Sequence, residues 1–202
     1  MLHYEAIDNV SLDILKKLMQ LNELNDFYLV GGTALALLLG HRFSIDLALF
    51  TGKDFTTREL TETLQKHFTV QITGEFHNTL NLFLETIKVD LISFKYPLLK
   101  PIQTVDGIRL MGLEDICSMK LSAIAQRGSK KDFFDLYFLL EKFTLDEIFQ
   151  NFQKKFPGTD LFHIIKSLTY FEDADPEPDP VLVKKVDWAK VKKELQRIVR
   201  ML

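Results

Sequence analysis

The sequence predicts an α+β protein whose first part combines strands with helices and whose second part is helical. Two observations support this prediction. Between residues 27 and 110, short apolar or alternating segments typical of strands are interspersed with segments of helical periodicity. From residue 113 onward the apolar residues recur only at helical spacing. We therefore expect an α/β domain over residues 1–112 and a helical domain over residues 113–202, with the change near Gly112.

Individual elements follow from the same patterns. Predicted strands cover residues 27–32, 44–50, 68–75, 79–85 and 86–94, with a further extended segment at 101–110. Predicted helices cover residues 9–22, 33–41, 56–67, 113–126, 129–142, 144–155, 160–171 and 187–201. The acidic, proline-rich stretch at 172–180 is predicted to be a loop.

Composition indicates an ordinary globular chain. Of its 202 residues, 47% are hydrophobic and 26% are charged, which is enough to bury a sizeable core. The formal net charge of −3 does not attract the whole chain to nucleic acid or to an anionic membrane. The basic stretch at 181–202 indicates either a solvated face or an RNA-contacting surface. One cysteine, no signal-peptide core and no run of 18 apolar residues predict a cytoplasmic protein without a membrane partner.

The first candidate site residues are Gly31, Gly32 and Thr33. A strand that runs through a double glycine into a helix presents free backbone N–H groups, and together with the helix dipole these groups suit a phosphate. Glycine also allows an anion to approach the backbone closely. The alternative is a tight strand-to-helix turn in which Thr33 is the N-cap.

An acidic residue follows shortly after this turn. In the strand predicted at 44–50, alternation places Asp46 on one face and assigns Ile45 to the opposite, core face. Metal-dependent phosphoryl transfer often uses two carboxylates that lie two residues apart on a strand. Here the second position is Ala48, which has no oxygen ligand. Asp46 alone is therefore either a metal ligand or the cap of a turn.

Lys88 and Asp90 form a second pair of polar residues at strand spacing. Their side chains share one face of the predicted strand. They form either a surface ion pair of little energetic weight or a phosphate contact beside a metal ligand or general base.

Charged residues also occur on the apolar side of the predicted helices. Lys120 and Arg127 fall within the apolar stripe of the helix at 113–126, and a buried cation needs an anionic partner. Asp132 and Asp135 fall at a similar position in the next helix. Either these four residues pair across two packed helices, or one of the cations faces a cleft and binds a nucleotide phosphate.

Three segments together resemble a known family. They are FYLVGGTALALLLGHRFSIDLALFT at 27–51, KVD at 88–90 and LEDICSMKLSAIAQRGSKKDFFDLYFLL at 113–140. They are similar to three motifs of the AbiEii/AbiGii-type (MenT-like) nucleotidyltransferase toxins. The segments LTYFEDADPEP and VDWAKVKK also resemble the end region of that family. The resemblance spans about residues 27–195.

The resemblance implies a DNA polymerase β-like nucleotidyltransferase fold, in which a mixed sheet with flanking helices is followed by a C-terminal helical bundle. It implies transfer of a nucleoside monophosphate from a nucleoside triphosphate, with Mg²⁺ or Mn²⁺, to an RNA (tRNA-like) or protein acceptor. It further implies a toxin that is neutralised by a separately encoded antitoxin.

Carried onto this chain, the resemblance implies that Asp46 and Asp90 are metal ligands and that Asp90 also activates the attacking hydroxyl. It assigns the triphosphate to the glycine turn, with Lys88 and Lys120 in contact with phosphates.

Ala48 departs from the family pattern, which has a metal-bridging aspartate at this position. Loss of one of three carboxylates is expected to weaken metal binding and catalysis. The alternative function is therefore a catalytically inactive protein that binds a nucleotide or a partner. Glu85 is a candidate substitute for the missing carboxylate. It lies an odd number of residues from Asp90, however, so strand alternation predicts that its side chain is on the opposite face of the sheet.

Overall fold

Seven strands form one mixed sheet in the computed structural model, which describes residues 1–202. The strands are β1 (Tyr28–Val30), β2 (Leu47–Thr51), β3 (Val70–Phe76), β4 (Thr79–Leu84), β5 (Ile87–Ser93), β6 (Gln103–Val105) and β7 (Ile108–Leu110). The helices are α1 (Asn9–Gln20), α2 (Gly31–Leu39), α3 (Thr57–Gln65), α4 (Leu113–Arg127), α5 (Lys130–Leu139), α6 (Leu145–Lys155), α7 (Leu161–Ser167) and α8 (Trp188–Val199).

The strand order across the sheet is β3-β4-β5-β2-β1-β7-β6. Strand β2 runs parallel to β5, and β1 runs parallel to β7, whereas all other neighbours are antiparallel. The β6–β7 hairpin turns at Asp106 and Gly107, and both have positive φ (51° and 80°), as a two-residue type I′ loop requires. This topology places β2 and β5 side by side at the centre of the sheet.

The predicted α+β fold is confirmed, but two local predictions are wrong. The strand predicted from residue 44 begins only at Leu47, and Ile45 is 47% exposed instead of facing the core. Residues 44–46 make irregular contacts instead: the Ser44 N–H donates to the carbonyl of Ala6, and the Ser11 hydroxyl donates to that of Ile45. Thr33 is not an N-cap, because α2 begins at Gly31 and Thr33 lies inside its first turn.

One cluster of 49 buried hydrophobic residues forms the core. It includes the inward-facing residues of β2 and β5 and also apolar residues of α4 and α5, so the apolar core continues across Gly112. Helix α4 packs against α2, α5, α6 and α7. Trp188 stacks on Phe134 with 5.6 Å between the ring centroids, and this contact packs α8 against α5. The division into domains 1–112 and 113–202 stays a prediction.

Two polar anchors hold the helical part in place. The buried ammonium of Lys155 pairs with the buried carboxylate of Asp115 at 2.7 Å, and Asp115 also accepts the backbone N–H of Leu99. In the acidic stretch at 172–180, the Glu177 carboxylate accepts hydrogen bonds from the backbone N–H of Lys130 and the hydroxyl of Ser129, where α5 begins. None of the helices has the length and apolar composition that a bilayer crossing requires.

Candidate functional site

The N-terminal end of α2, the strands β2 and β5, and helix α4 surround one pocket of about 290 Å³. Apart from Glu85, every residue that the sequence singled out for phosphate or metal contact lies in its lining. The lining residues are Val30, Gly31, Gly32, Thr33, Arg42, Ser44, Asp46, Ala48, Phe50, Lys88, Asp90, Ile116, Met119, Lys120, Ala123, Arg127 and Lys131. Val30 and Lys131, which are 101 positions apart in the chain, thus line a single cavity.

The double glycine shapes one wall of the pocket. Gly31 has φ +69°, a left-handed conformation that disfavours a side chain, and a Cβ on Gly32 would collide with the guanidinium of Arg42. No side chain caps the N-terminus of α2. The first backbone N–H groups of this helix are therefore not bonded by a capping side chain, and the positive end of its dipole lies at the pocket.

Thr33 connects this wall to the first acidic residue. Its buried hydroxyl donates to the backbone carbonyl of Asp46 and shares a 2.8 Å hydrogen bond with the hydroxyl of Ser44. Asp46 lies just before β2, and its side chain is exposed in the pocket. The Thr33 side chain thus fixes the backbone that carries Asp46.

Asp90 lies on the neighbouring strand, directly beside Ala48 in the parallel register of β2 and β5. The amide of Asn81, opposite Asp90 on β4, donates to the Asp90 carboxylate at 2.7 Å. The Lys88 ammonium lies 3.6 Å from the other oxygen of the same carboxylate. Asp90 is therefore oriented by two neighbours and points into the same pocket as Asp46.

The methyl group of Ala48 occupies the position between Asp90 and the glycine turn. A Cβ on Gly31 would lie 4.0 Å from the Ala48 Cβ. The side chain of an aspartate at position 48 would therefore lie between the glycine turn and Asp90. Glu85 does not replace it: it lies in the β4–β5 turn, and its carboxylate accepts the backbone N–H of Thr69 at 2.9 Å. No group of three or more His, Cys, Asp or Glu residues is arranged to hold a metal ion.

Cations from α4 line the pocket and are paired with carboxylates of α5. Lys120 lies 2.8 Å from Asp132 and 2.5 Å from Asp135, and both carboxylates are fully buried. Arg127 binds Asp132 through two nitrogens at 2.8 and 3.0 Å, yet its side chain remains 56% exposed. The pairing across the two helices is therefore present, whereas the binding of a nucleotide phosphate by one of these cations stays a prediction.

Arg42 completes this network. Its guanidinium binds Asp135 through Nε at 2.6 Å and Nη2 at 3.0 Å, and His41 contacts the same carboxylate at 2.7 Å. Burial alone would raise the pKa of Asp135, but the charges of Arg42 and Lys120 outweigh burial and hold the pKa well below its usual value. Burial lowers the pKa of His41, so its ring is neutral at pH 7.

The pocket therefore has an excess of positive charge. Its lining contains five cations, Arg42, Lys88, Lys120, Arg127 and Lys131, and two carboxylates, those of Asp46 and Asp90. With the two carboxylates of α5 counted as well, the balance is still one positive charge. Such a cavity favours an anionic ligand.

Sequence reasoning missed Arg42, Ser44, Lys131 and Asn81. Lys131 lies in the first turn of α5, beyond the left-handed Gly128 that ends α4, so helical spacing from Arg127 does not predict its position. No local pattern distinguishes Asn81 from other strand residues. The contact between Arg42 and Asp135 spans 93 positions and depends on the packing of α2 against α5.

Solved structures place this architecture among the nucleotidyltransferase folds. A proposed nucleotidyltransferase from H. pylori aligns with 96% of this chain and 95% of its own, with a TM-score of 0.59 and 21% identity. MenT4, a nucleotidyltransferase toxin from Mycobacterium tuberculosis H37Rv, aligns with 98% of this chain and 86% of its own, with a TM-score of 0.60 and 17% identity. This chain therefore has a nucleotidyltransferase fold.

The family follows from the sequence itself. The model of the nucleotidyl transferase AbiEii toxin family, described as type IV toxin–antitoxin system, matches residues 13–200. The chain belongs to this family. It is also 43% identical over 171 residues to an uncharacterised protein of Aquifex aeolicus (strain VF5), covering 82% of this chain and 83% of that protein.

Proposed function

We propose that the pocket binds the triphosphate of a nucleoside triphosphate. The observation that carries this proposal is the convergence of five lining cations with the uncapped N-terminus of α2. Backbone N–H groups at a helix N-terminus and arginine or lysine side chains are the usual ligands of phosphate oxygens. Lys120 is held by two carboxylates and Arg127 by one, so both cations are positioned before the ligand arrives.

The residues present fit one divalent ion that is shared with the triphosphate. Mg²⁺ is commonly bound through one or two protein carboxylates together with substrate phosphates, and Asp46 and Asp90 line the same cavity. Bound there, Mg²⁺ or Mn²⁺ would supply neutralisation of the phosphate charge. A second ion held by a bridging carboxylate does not fit, because residue 48 is alanine.

In the proposed reaction, a hydroxyl of an RNA (tRNA-like) or protein acceptor attacks the α-phosphate, and the bond between the α- and β-phosphates breaks. Asp90 accepts the hydroxyl proton, and pyrophosphate leaves toward the cations of α4. Asn81 and Lys88 hold the Asp90 carboxylate in place for this role. The type IV toxin–antitoxin description of the family further supports a toxic activity that an antitoxin counteracts.

Ala48 favours a second candidate, namely a protein that binds a nucleotide or a partner without turnover. The same cations would bind the triphosphate, but the incomplete carboxylate set would leave the chemical step slow. Loss of one preorganised hydrogen-bond donor that stabilises a transition state typically costs about 10²–10³ in rate, and we expect the missing carboxylate to cost at least as much.

Labelling distinguishes the two candidates. Purified protein is incubated with Mg²⁺ or Mn²⁺, total RNA and cellular protein, and each of four α-³²P-labelled nucleoside triphosphates in turn. Ala48→Asp is assayed beside Ala48→Asn, which has the same shape but no charge. We expect label in an acceptor with the wild type, a rate about 10²-fold or more higher with Ala48→Asp, and no gain with Ala48→Asn. Asp90→Asn should abolish transfer.

The negative outcomes also separate the candidates. Binding of nucleoside triphosphate without transfer, in both the wild type and Ala48→Asp, contradicts the enzyme and supports the inactive binding protein. Absence of any binding contradicts both.

A further inference from the structure

A second cavity of about 480 Å³ adjoins the cation-lined pocket. The two cavities share Phe50, Met119 and Ala123 in their linings, so they adjoin at these three side chains. Phe50 lies two residues beyond Ala48 on β2, and Phe94 lies four residues beyond Asp90 just after β5. At about 3.3 Å per residue, these are about 7 and about 13 Å further along the strands.

The second cavity differs from the first in its chemistry. None of its twelve lining residues is charged, and nine are hydrophobic. Its aromatic wall is continuous: Phe94 lies 5.1 Å from Phe50 and 4.8 Å from Tyr96, and Tyr96 lies 4.8 Å from Phe156, between ring centroids. Tyr96 is half-exposed, so part of its side chain remains accessible to a further group.

We propose that this aromatic cavity receives the base of the nucleotide whose triphosphate lies in the cation-lined pocket. This inference rests on the function proposed above and adds a subsite to it. A base has a planar aromatic surface and no charge, and stacking on aromatic side chains accepts any of the four bases. The order of the two cavities along β2 and β5 matches the order of phosphates, ribose and base in a nucleotide.

The charge distribution favours the donor nucleotide over the acceptor strand as occupant. An RNA strand carries one phosphate per nucleotide and is usually followed by cationic side chains along a groove. The aromatic cavity contains no cation, whereas the adjoining pocket contains five. A nucleoside triphosphate has this separation, with all its phosphates at one end.

A small polar edge gives the cavity the means to distinguish bases. Ser122, Gln126 and Thr159 are polar residues of the lining, and the Gln126 amide nitrogen donates to the Ser122 hydroxyl at 2.8 Å. The amide oxygen of Gln126 is thereby left as an acceptor for an exocyclic amino group. Loss of one such hydrogen bond changes the relative affinity for two bases by about fivefold.

Calorimetry with two kinds of probe tests the subsite. Inorganic tripolyphosphate reports the cation-lined pocket alone, and ATP, GTP, CTP and UTP report both cavities. The variants are Tyr96→Ala, Tyr96→Phe, which keeps the ring, and Gln126→Ala. Tyr170→Ala is the matched control, because Tyr170 is equally exposed (49%, against 50% for Tyr96) and lines neither cavity.

We expect Tyr96→Ala to weaken nucleoside triphosphate binding by about fivefold to a hundredfold while tripolyphosphate affinity stays within about twofold. Tyr96→Phe and Tyr170→Ala should match the wild type, and Gln126→Ala should reduce the preference among the four bases. Unchanged nucleotide affinity in Tyr96→Ala, or equal losses for both probes, overturns the base subsite and leaves the triphosphate site intact. A wild type that binds neither probe overturns the proposed function together with the subsite.

Discussion

Replacement of Asp135 by asparagine tests the charged network behind the pocket most directly. The Asp135 carboxylate is fully buried and is contacted by Arg42, His41 and Lys120. Asparagine keeps the shape of the side chain but removes its charge. Arg42 and Lys120 are each only 5% exposed, so water cannot replace the lost carboxylate easily.

The expected loss of stability is large. Removal of one partner from a buried ion pair costs about 3–5 kcal/mol, because the remaining charge stays buried without compensation. Two cations depend on Asp135, although Asp132 still binds Lys120 at 2.8 Å. We therefore expect a loss of about 3–5 kcal/mol, which is a large part of the typical total of about 5–15 kcal/mol.

Urea unfolding followed by the fluorescence of Trp188 measures this loss. Trp188 is the single tryptophan and stacks on Phe134 next to Asp135 in α5, so its emission reports the packing of that helix. Asp13→Asn, at an exposed position of α1, is the control and should change stability by less than about 0.5 kcal/mol. A loss below about 1 kcal/mol for Asp135→Asn would refute the reasoning that this carboxylate compensates buried cations.

Three further predictions follow from single side chains. Thr33→Val should cost about 1–3 kcal/mol by removing the hydroxyl contact to the Asp46 carbonyl, and Thr33→Ser should restore most of it; equal losses in both contradict this role. Burial lowers the pKa of His41, so below the unfolded value of about 6.5 the unfolded chain binds the extra proton and stability falls. The stability difference between pH 7 and pH 5 should shrink in His41→Gln, and an unchanged difference argues against this assignment. Burial raises the pKa of Cys117 to about 12, so iodoacetamide at pH 8 should label it only after unfolding; fast labelling of the native protein contradicts its burial.

Much of the fold was predictable, because the spacing of hydrophobic residues along a strand or helix can be recognised in the local sequence. The strands predicted at 68–75, 79–85 and 86–94 correspond to β3, β4 and β5, and helical spacing predicted α4 and α5 within a few residues. Ile45 is the instructive failure. Its alternation with Leu47 is that of a strand, but the Ser11 and Thr33 hydroxyls bind the carbonyls of Ile45 and Asp46 and hold this segment outside the sheet.

The candidate site was predictable as a set of residues, but the relation among them was not. Glycine at a strand-to-helix junction and lysine and aspartate two apart on a strand have local signatures. The position of Ala48 beside Asp90 depends on the parallel register of β2 and β5, which a crossover of many residues connects. The aromatic cavity likewise combines strand ends with α4 and α6, and no single segment indicates it.

By itself the sequence determined the α+β class, the glycine turn and the placement of cations on an apolar helix face. It also showed that Asp46 has no second carboxylate two residues later, at position 48. Tertiary structure alone decided that Arg42 and Lys120 share Asp135 and that Asn81 orients Asp90. The physical reason is that periodicity is set by neighbours in the chain. The partner of a buried charge is set by whichever side chain folding brings within about 3 Å, however distant it is in sequence.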